Sequence, residues 1–492
     1  MKSKTLMGLP LLAILLTSCN NGKVVVPTFA KSKGLTFSAY ACPTVAKWDG
    51  TGSNPLSLTD ENVKKMAEGG FNKMIALYEG APGGISGDTY TIAKKRAEKA
   101  QKDAMVALPL AEKYGLKYFV RDWSFYGLPR NYLTGYSPQI ITDEQYQDII
   151  DIIFDEDNQY IYHPAYGGNF CCDEPMYEEI ERVSVQVRQY YAKMKERGVE
   201  GEPFVNLLPC TVSDTQLSTE GIVTYEDYVD RFLELISSQI GYLCYDYYPF
   251  MKSTYEGSYV KSTYVYNLWL MASKLKELRE KGQDIELRTF LQSVGNWTGM
   301  RDMVGIGDFR MQIYTELAFG SHEFIYYEFG NFYSQEEGEF ALFDLKNNKF
   351  NWTFDCAAKV NNEVHAFEDA YLAYNWDGVM YQNGDEIVYN PAFEFIEDYA
   401  IQKHPRIKIK SCDEDTLIGT FKHKETGDDA FMVVNYTDPY KQLNNEITLH
   451  FNNTKALLMY RQGEKMVVTL PKSGNYTMKL YPGEGRFIIP IK

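Results

Sequence analysis

A (β/α)8 barrel followed by a small antiparallel β-sandwich is the architecture this sequence predicts, and three observations predict it. Eight short apolar runs alternate with helical patterns between residues 34 and 380, and strands that alternate with helices pair in parallel. Several of those runs end in polar or acidic residues, as barrel strands do where they open onto a mouth. From about Asp385 the rhythm shortens to alternating runs separated by turn residues, the pattern of antiparallel strands. A doubly wound open sheet is built from the same βα alternation and stays open as the alternative for the first part.

The eight runs come in order. Leu35–Ala41 is the first, and Asp60-Glu61 then opens an amphipathic stretch closed by Gly69-Gly70, with acids at the helix start and glycine past its end. Lys73–Tyr78 is the second run. A glycine-rich loop through Gly80, Gly83, Gly84 and Gly87 lacks the G-x-G-x-x-G spacing and reads as a rim loop. A long helical pattern from about Thr91 ends at Tyr114-Gly115, and Lys117–Asp122 is the third run. The fourth, Gly168–Asp173, runs into Glu174-Pro175; proline suits a first helical position, so a helix is expected to begin there. The remaining runs are Phe204–Leu208, Gly241–Asp246, Glu286–Gln292 and Glu323–Glu328, with helical patterns near 143–154, 176–198, 224–239, 257–282, 308–319 and 356–374. Beyond residue 385, alternating runs at 430–435, 446–451, 466–470, 476–480 and 486–489 supply the sandwich.

Composition limits the partners. The chain has 492 residues and a net charge of −16, which disfavours nucleic acid because phosphate binding needs a basic surface. Its aromatic share is 15%, with 39 tyrosines; rings fill cores and also stack on sugar faces. Seven cysteines besides Cys19 show no C-x-x-C spacing and sit mostly in apolar runs, where they are expected as free buried thiols. Six scattered histidines offer no metal-ligand spacing, so no metal and no cofactor is expected.

At the N-terminus, Lys2 and Lys4 precede an apolar stretch, Leu6 to Leu16, too short to span a bilayer. Leu16-Thr17-Ser18-Cys19 resembles the lipobox of bacterial lipoprotein signals. That resemblance implies a signal peptide over 1–18, lipid attachment at Cys19, a tether over 19–33, and a membrane contact through the lipid anchor only. An ordinary cleaved signal is the plainer alternative.

If the barrel forms, its strand ends define the mouth. They carry Tyr40, Tyr78, Arg121-Asp122-Trp123, Asp173-Glu174, Asn206, Asp246-Tyr247-Tyr248, Gln292 and Tyr327-Glu328, with Trp297 in the loop after the seventh run. Several carboxylates among aromatics and neutral hydrogen-bonding groups suit glycoside hydrolysis: one acid protonates the departing oxygen, a second carboxylate acts as nucleophile or base, and rings hold the sugar. The catalytic candidates are Glu174, Asp173, Asp246 and Glu328. The substrate-binding candidates are Tyr40, Asp122, Trp123, Asn206, Tyr247, Gln292, Trp297 and Tyr327.

The whole chain after the signal resembles a clan A type glycoside hydrolase, as in lipoproteins of gut Bacteroidetes. In that clan the fourth strand ends Asn-Glu-Pro, and Asp173-Glu174-Pro175 matches with Asp for Asn. The resemblance implies Glu174 as acid/base, a carbohydrate substrate and an outer-membrane location. It departs at the seventh strand, where the clan's nucleophilic Glu is replaced by Gln292. Either another rim acid (Asp246, Glu328 or Asp122) takes that role, or Asp173-Glu174 works like the adjacent Asp-Glu pair of substrate-assisted hexosaminidases, with Asp173 positioning an acetamido group. A glycan-binding protein that has lost hydrolysis is the rival. A lyase or esterase finds no G-x-S-x-G elbow and no basic cluster for uronates. Plainer roles are helix capping for Asp173 or Glu174, an Asx turn for Asp246, a solvated loop for Glu328, and packing for Trp123 and Trp297.

Overall fold

The structure is a computed structural model, and it describes residues 24–43, 57–76, 89–126, 142–253, 257–295, 299–331, 341–384 and 391–492. The leader with Cys19, the glycine-rich rim loop with Tyr78, and Trp297 lie outside the described residues. No helix among the described residues is long and apolar enough to cross a membrane.

Eight parallel strands form the barrel: β1 (Thr36–Tyr40), β2 (Lys73–Ile75), β3 (Lys117–Val120), β4 (Tyr166–Asp173), β5 (Glu202–Asn206), β6 (Tyr242–Tyr245), β7 (Glu286–Gln292) and β8 (Ser321–Tyr327). The pairing order is β5-β4-β3-β2-β1-β8-β7-β6. A parallel bridge between Leu207 and Tyr245 joins the two ends of this order. Leu207 N–H donates to the Cys244 carbonyl at 2.9 Å and Asp246 N–H to the Leu207 carbonyl at 3.3 Å. The ring is therefore closed, and the open-sheet alternative is excluded.

Local sequence explains the helix ends. Asp60–Glu68 is capped by Thr59, whose side chain accepts from Asn62 N–H, and Gly198 ends Ile180–Arg197 in the left-handed conformation. Two expectations at helix starts need correction. The helix expected at Pro175 begins at Ile180 after a 3-10 turn over Tyr177–Glu179, and Glu179 rather than Asp173 or Glu174 accepts from Met176 N–H at 2.8 Å. The helix expected from 257 begins at Tyr264. Ahead of it stands an antiparallel hairpin, Phe250–Ser253 with Gly257–Val260, whose closely spaced tyrosines fit strand and helix periods alike.

Inside the barrel the layers differ in chemistry. At the floor, Lys73, Glu202, Arg288, Glu323 and Ser38 form an ion-pair network: Lys73 to Glu323 at 2.9 Å, Arg288 to Glu323 at 3.3 Å, and Ser38 Oγ donating to Glu323 Oε1 at 2.5 Å. Above it Phe170, Phe204 and Phe290 pack ring on ring, with centroids at 5.1 and 6.4 Å. Tyr40 caps this layer, 5.9 Å from Phe170 and 5.3 Å from Phe290.

The C-terminal part is a β-sandwich of a six-stranded and a three-stranded antiparallel sheet. Its core is Ile418, Phe431, Val433, Ile447, Leu449, Met478 and Ile488. The strand Tyr374–Gln382 pairs with Thr416–His423 in the larger sheet, so residues given to the barrel by a boundary at 380 belong to this sheet. The larger sheet lies on the fully buried helix Ile306–Ala318. Gly419 makes that approach possible, since a Cβ there would stand 2.1 Å from the Ala318 carbonyl oxygen.

Candidate active site

Asn206, the last residue of β5, is the hub of the mouth. Its side-chain Nδ2 donates to Asp173 Oδ1 at 3.1 Å and to Asp246 Oδ1 at 3.3 Å. Its backbone carbonyl accepts from Glu174 N–H at 2.9 Å. One asparagine thus fixes both aspartates and the backbone of the glutamate. Asp173 also accepts from the Tyr40 hydroxyl at 3.4 Å, and Arg121 Nη1 donates to that hydroxyl at 3.2 Å. The Arg121 guanidinium lies 4.5 Å from the Phe170 ring and 5.2 Å from the Trp123 ring.

Glu174 has φ 48°, the left-handed region that a non-glycine residue rarely adopts and that costs about 1–3 kcal/mol. Such strain concentrates at functional positions. Asp173 and Glu174 are both half-buried. Asp246 is 7% exposed. Burial first, and then the charges of Glu174 and Asp173, push its carboxyl well above the ordinary range, with the Asn206 bond acting in the opposite sense. Three carboxyl groups thus share one corner, and Asp246 is the most buried of them.

Aromatic walls flank this corner. Tyr327 at the end of β8 lies 5.7 Å from Tyr40 and 5.0 Å from Tyr248. Tyr248, half-buried, is the ring after Asp246 that reaches the mouth. Tyr247, a sugar-binding candidate from sequence, is instead buried, its hydroxyl 2.6 Å from Thr263 Oγ1 and its ring against Tyr264. Consecutive residues of an extended chain face opposite ways, and that alternation gives the mouth to Tyr248.

The other candidates divide similarly. Asp122 is fully buried and its charge acts on Arg96 of the helix Thr89–Lys113, on the outer side of β3. Glu328 is 3% exposed, so it is not a solvated loop acid. Gln292 is 0% exposed and wholly engaged with backbone. Its Oε1 accepts from Phe250 N–H at 2.9 Å, and its Nε2 donates to the carbonyls of Phe250, Val294 and Arg301 at 3.2, 3.2 and 3.3 Å. It clamps the base of the 250–260 hairpin to the loop after β7. Arg301 continues the clamp, pairing with Asp308 at 2.7 Å and with Asp438 of the sandwich at 3.2 Å.

No protein-family model matches the chain, and no curated protein matches it by sequence. Solved structures do. A glycoside hydrolase family 42 β-galactosidase from G. stearothermophilus, in a catalytic mutant form, superposes with a TM-score of 0.53 at 9% identity, over 94% of this chain and 99% of that one. A glycoside hydrolase matches with a TM-score of 0.49 at 11% identity over 95% and 93%. A family 5 glycoside hydrolase from Bacteroides vulgatus matches with 0.48 at 10% over 93% and 89%. At such identities the likeness to the family 42 structure is one of fold, and it spans both the barrel and the β-domain.

Among the described residues, the mouth contains a cation, Arg121, that a search of strand ends for acids does not weigh. The amide at position 292 is the sequence signal that the seventh strand departs from an acid-bearing end, and its backbone partners appear only in the fold.

Proposed function

We propose that this chain is a glycosidase acting on a neutral or N-acetylated glycan, with Glu174 as general acid/base. The observation that carries the reading is the Asn206-centred corner, where Asp173, Glu174 and Asp246 meet at the ends of β4, β5 and β6. The fold likeness to a family 42 β-galactosidase supports it. Glu174 would protonate the glycosidic oxygen as the bond to the anomeric carbon breaks, its electron pair passing to the departing oxygen.

Strand seven supplies no carboxylate for the covalent step, since Gln292 is an amide bound to four backbone groups. Asp173, with one oxygen bonded to Tyr40 and the other to Asn206, has the fixed orientation that suits a group positioning an acetamido N–H. In that case the substrate's own acetamido oxygen attacks the anomeric carbon, and Glu174 then accepts a proton from the attacking water. Burial and the two neighbouring acids favour the neutral form of Asp246 beside them.

Gln292 also favours a second reading, a glycan-binding protein without hydrolysis. Hydrolysis of a panel of aryl glycosides, N-acetylhexosaminides included, separates the two. Wild type should be active, and Glu174→Gln should lose about 10²–10⁴-fold in kcat with an unchanged unfolding temperature. Equal rates in the two proteins would end the acid/base assignment, and no turnover by wild type would favour binding alone.

We further propose that Cys19 carries a lipid and holds this body at a bacterial outer membrane. The supporting observations are the lipobox-like Leu16–Cys19 motif and a following segment that is docked: Ser32 donates to Asp369 at 2.7 Å, and Phe29 lies 6.3 Å from Tyr374. Mass spectrometry of the membrane-extracted protein tests this, because an unmodified Cys19 thiol rules it out.

A further inference from the structure

We propose that Arg121 is a positioning residue that acts through the Tyr40 hydroxyl to set the Asp173 carboxylate for the reaction at the mouth. The inference rests on the glycosidase reading and names a residue that the acid-bearing strand ends do not single out.

Arg121 follows β3 (Lys117–Val120). Successive side chains of an extended chain face opposite ways: Asp122 turns outward, where its charge acts on Arg96, and Arg121 turns into the barrel. There its guanidinium lies 4.5 Å from the Phe170 ring and 5.2 Å from the Trp123 ring, with the residue only 3% exposed. A guanidinium packs readily on aromatic faces, so these rings give it a fixed seat. Tyr40 is held as firmly, its ring packed against Phe170, Phe290 and Tyr327. With both side chains seated, the freedom left between them is rotation of the Tyr40 O–H bond.

That rotation is decided by what each group can donate. A guanidinium donates and never accepts, so at 3.2 Å from Arg121 Nη1 the Tyr40 oxygen is the acceptor, and its own hydrogen must point elsewhere. Asp173 Oδ2, 3.4 Å away, stands as an acceptor for it. The span is long for an O–H···O bond, as catalytic contacts often are before a substrate closes the site. The other carboxyl oxygen of Asp173 accepts from Asn206 at 3.1 Å. A donor on each oxygen fixes the plane of the carboxyl group, and Arg121 is the reason that the Tyr40 donor points toward it. The floor uses its cations differently, since Lys73 and Arg288 pair with Glu323 directly. A carboxylate has about four acceptor sites, so Asp173, oriented through a phenol instead, keeps room for a substrate N–H or O–H.

The test is a double-mutant cycle on the full chain. Arg121→Met, Tyr40→Phe and the two together are assayed well below the unfolding temperature of each, on the aryl glycoside that wild type hydrolyses best. Each single change should lower kcat about tenfold, the loss expected when a charge-assisted hydrogen-bond chain is cut, with little change in KM. The double variant should also fall about tenfold rather than about a hundredfold, because both changes cut the same chain. Arg121→Lys, which keeps a charged donor, should recover part of kcat relative to Arg121→Met, but none in the Tyr40→Phe background. Losses that multiply overturn the proposal, and so does an unchanged kcat. A loss carried by KM overturns it too, because it marks a residue that holds the sugar itself. Should Arg121→Met fail to fold, Arg121→Gln, uncharged and able to accept as well as donate, takes its place throughout. If wild type turns over no aryl glycoside, the glycosidase reading fails by itself, and crystal structures of wild type and the Arg121 variant decide. An Asp173 that turns away from Tyr40 in the variant supports the proposal, whereas one that keeps the contact overturns it.

Discussion

The floor and the mouth of this barrel bury carboxylates of the same chemistry and treat them in opposite ways. At the floor, burial works against the charge of Glu323, but Lys73 and Arg288 outweigh it, and the carboxyl lies below its ordinary range. At the mouth, burial and two neighbouring acids act together on Asp246 and raise it. Depth is the same, so the difference is the partner. A buried carboxylate paired with cations is held charged, and one crowded by other acids is pushed toward its neutral form.

Removing a floor charge should cost the most stability. Glu323→Ala leaves Lys73 and Arg288 buried with only the more exposed Glu202 to share, and about 3 kcal/mol of unfolding free energy should be lost. Denaturant melts would read this as a lower midpoint at constant slope. A midpoint equal to wild type would mean that the network is solvated and the comparison is false.

Glu316 provides an intermediate case. It is fully buried on the helix Ile306–Ala318, and among the described residues its carboxyl accepts only from the hydroxyls of Thr289 at 2.6 Å and Tyr264 at 2.9 Å. Burial raises it from 4.5 to about 8. Because the folded value exceeds the unfolded one, its contribution to stability is complete below pH about 4.5 and is lost as pH rises to about 8. Glu316→Gln should remove that loss and be more stable than wild type by roughly 3 kcal/mol at pH 8, with little difference at pH 4. Thermal melts at the two pH values check it, and a gap that does not grow with pH would show that an unseen partner neutralises the group.

Gln292→Glu sharpens the contrast at the mouth itself. By resemblance alone this change restores a carboxylate at the seventh strand. In the structure it removes the donor that holds the carbonyls of Phe250, Val294 and Arg301. The variant should lose about 2 kcal/mol of stability and gain no activity on aryl glycosides. A gain in turnover would show that the clamp is dispensable and that the position is catalytic.

The extent of legibility follows from the physics of each element. All eight barrel strands were readable because buried parallel strands are short apolar runs between helical patterns. Strand ends then located Tyr40, Asp173, Glu174, Asn206, Asp246 and Tyr327 at one mouth. The hairpin strands Phe250–Ser253 and Gly257–Val260 were not readable, since Tyr255 and Tyr259, four residues apart, fit a strand face and a helix face alike. Tyr247 and Tyr248 are chemically equivalent in sequence, and only the direction of the backbone at Asp246 assigns one to the core and the other to the site.

By itself the sequence determined the barrel, the sandwich and the acids at the end of the fourth strand, because hydrophobic period and turn chemistry are local properties. Only the tertiary structure decided that Asn206 joins Asp173 to Asp246, that Gln292 is a clamp, and that Tyr247 turns to the core while Tyr248 faces the mouth. Those facts depend on which donors meet which acceptors across strands far apart in the chain, and no local pattern encodes that pairing.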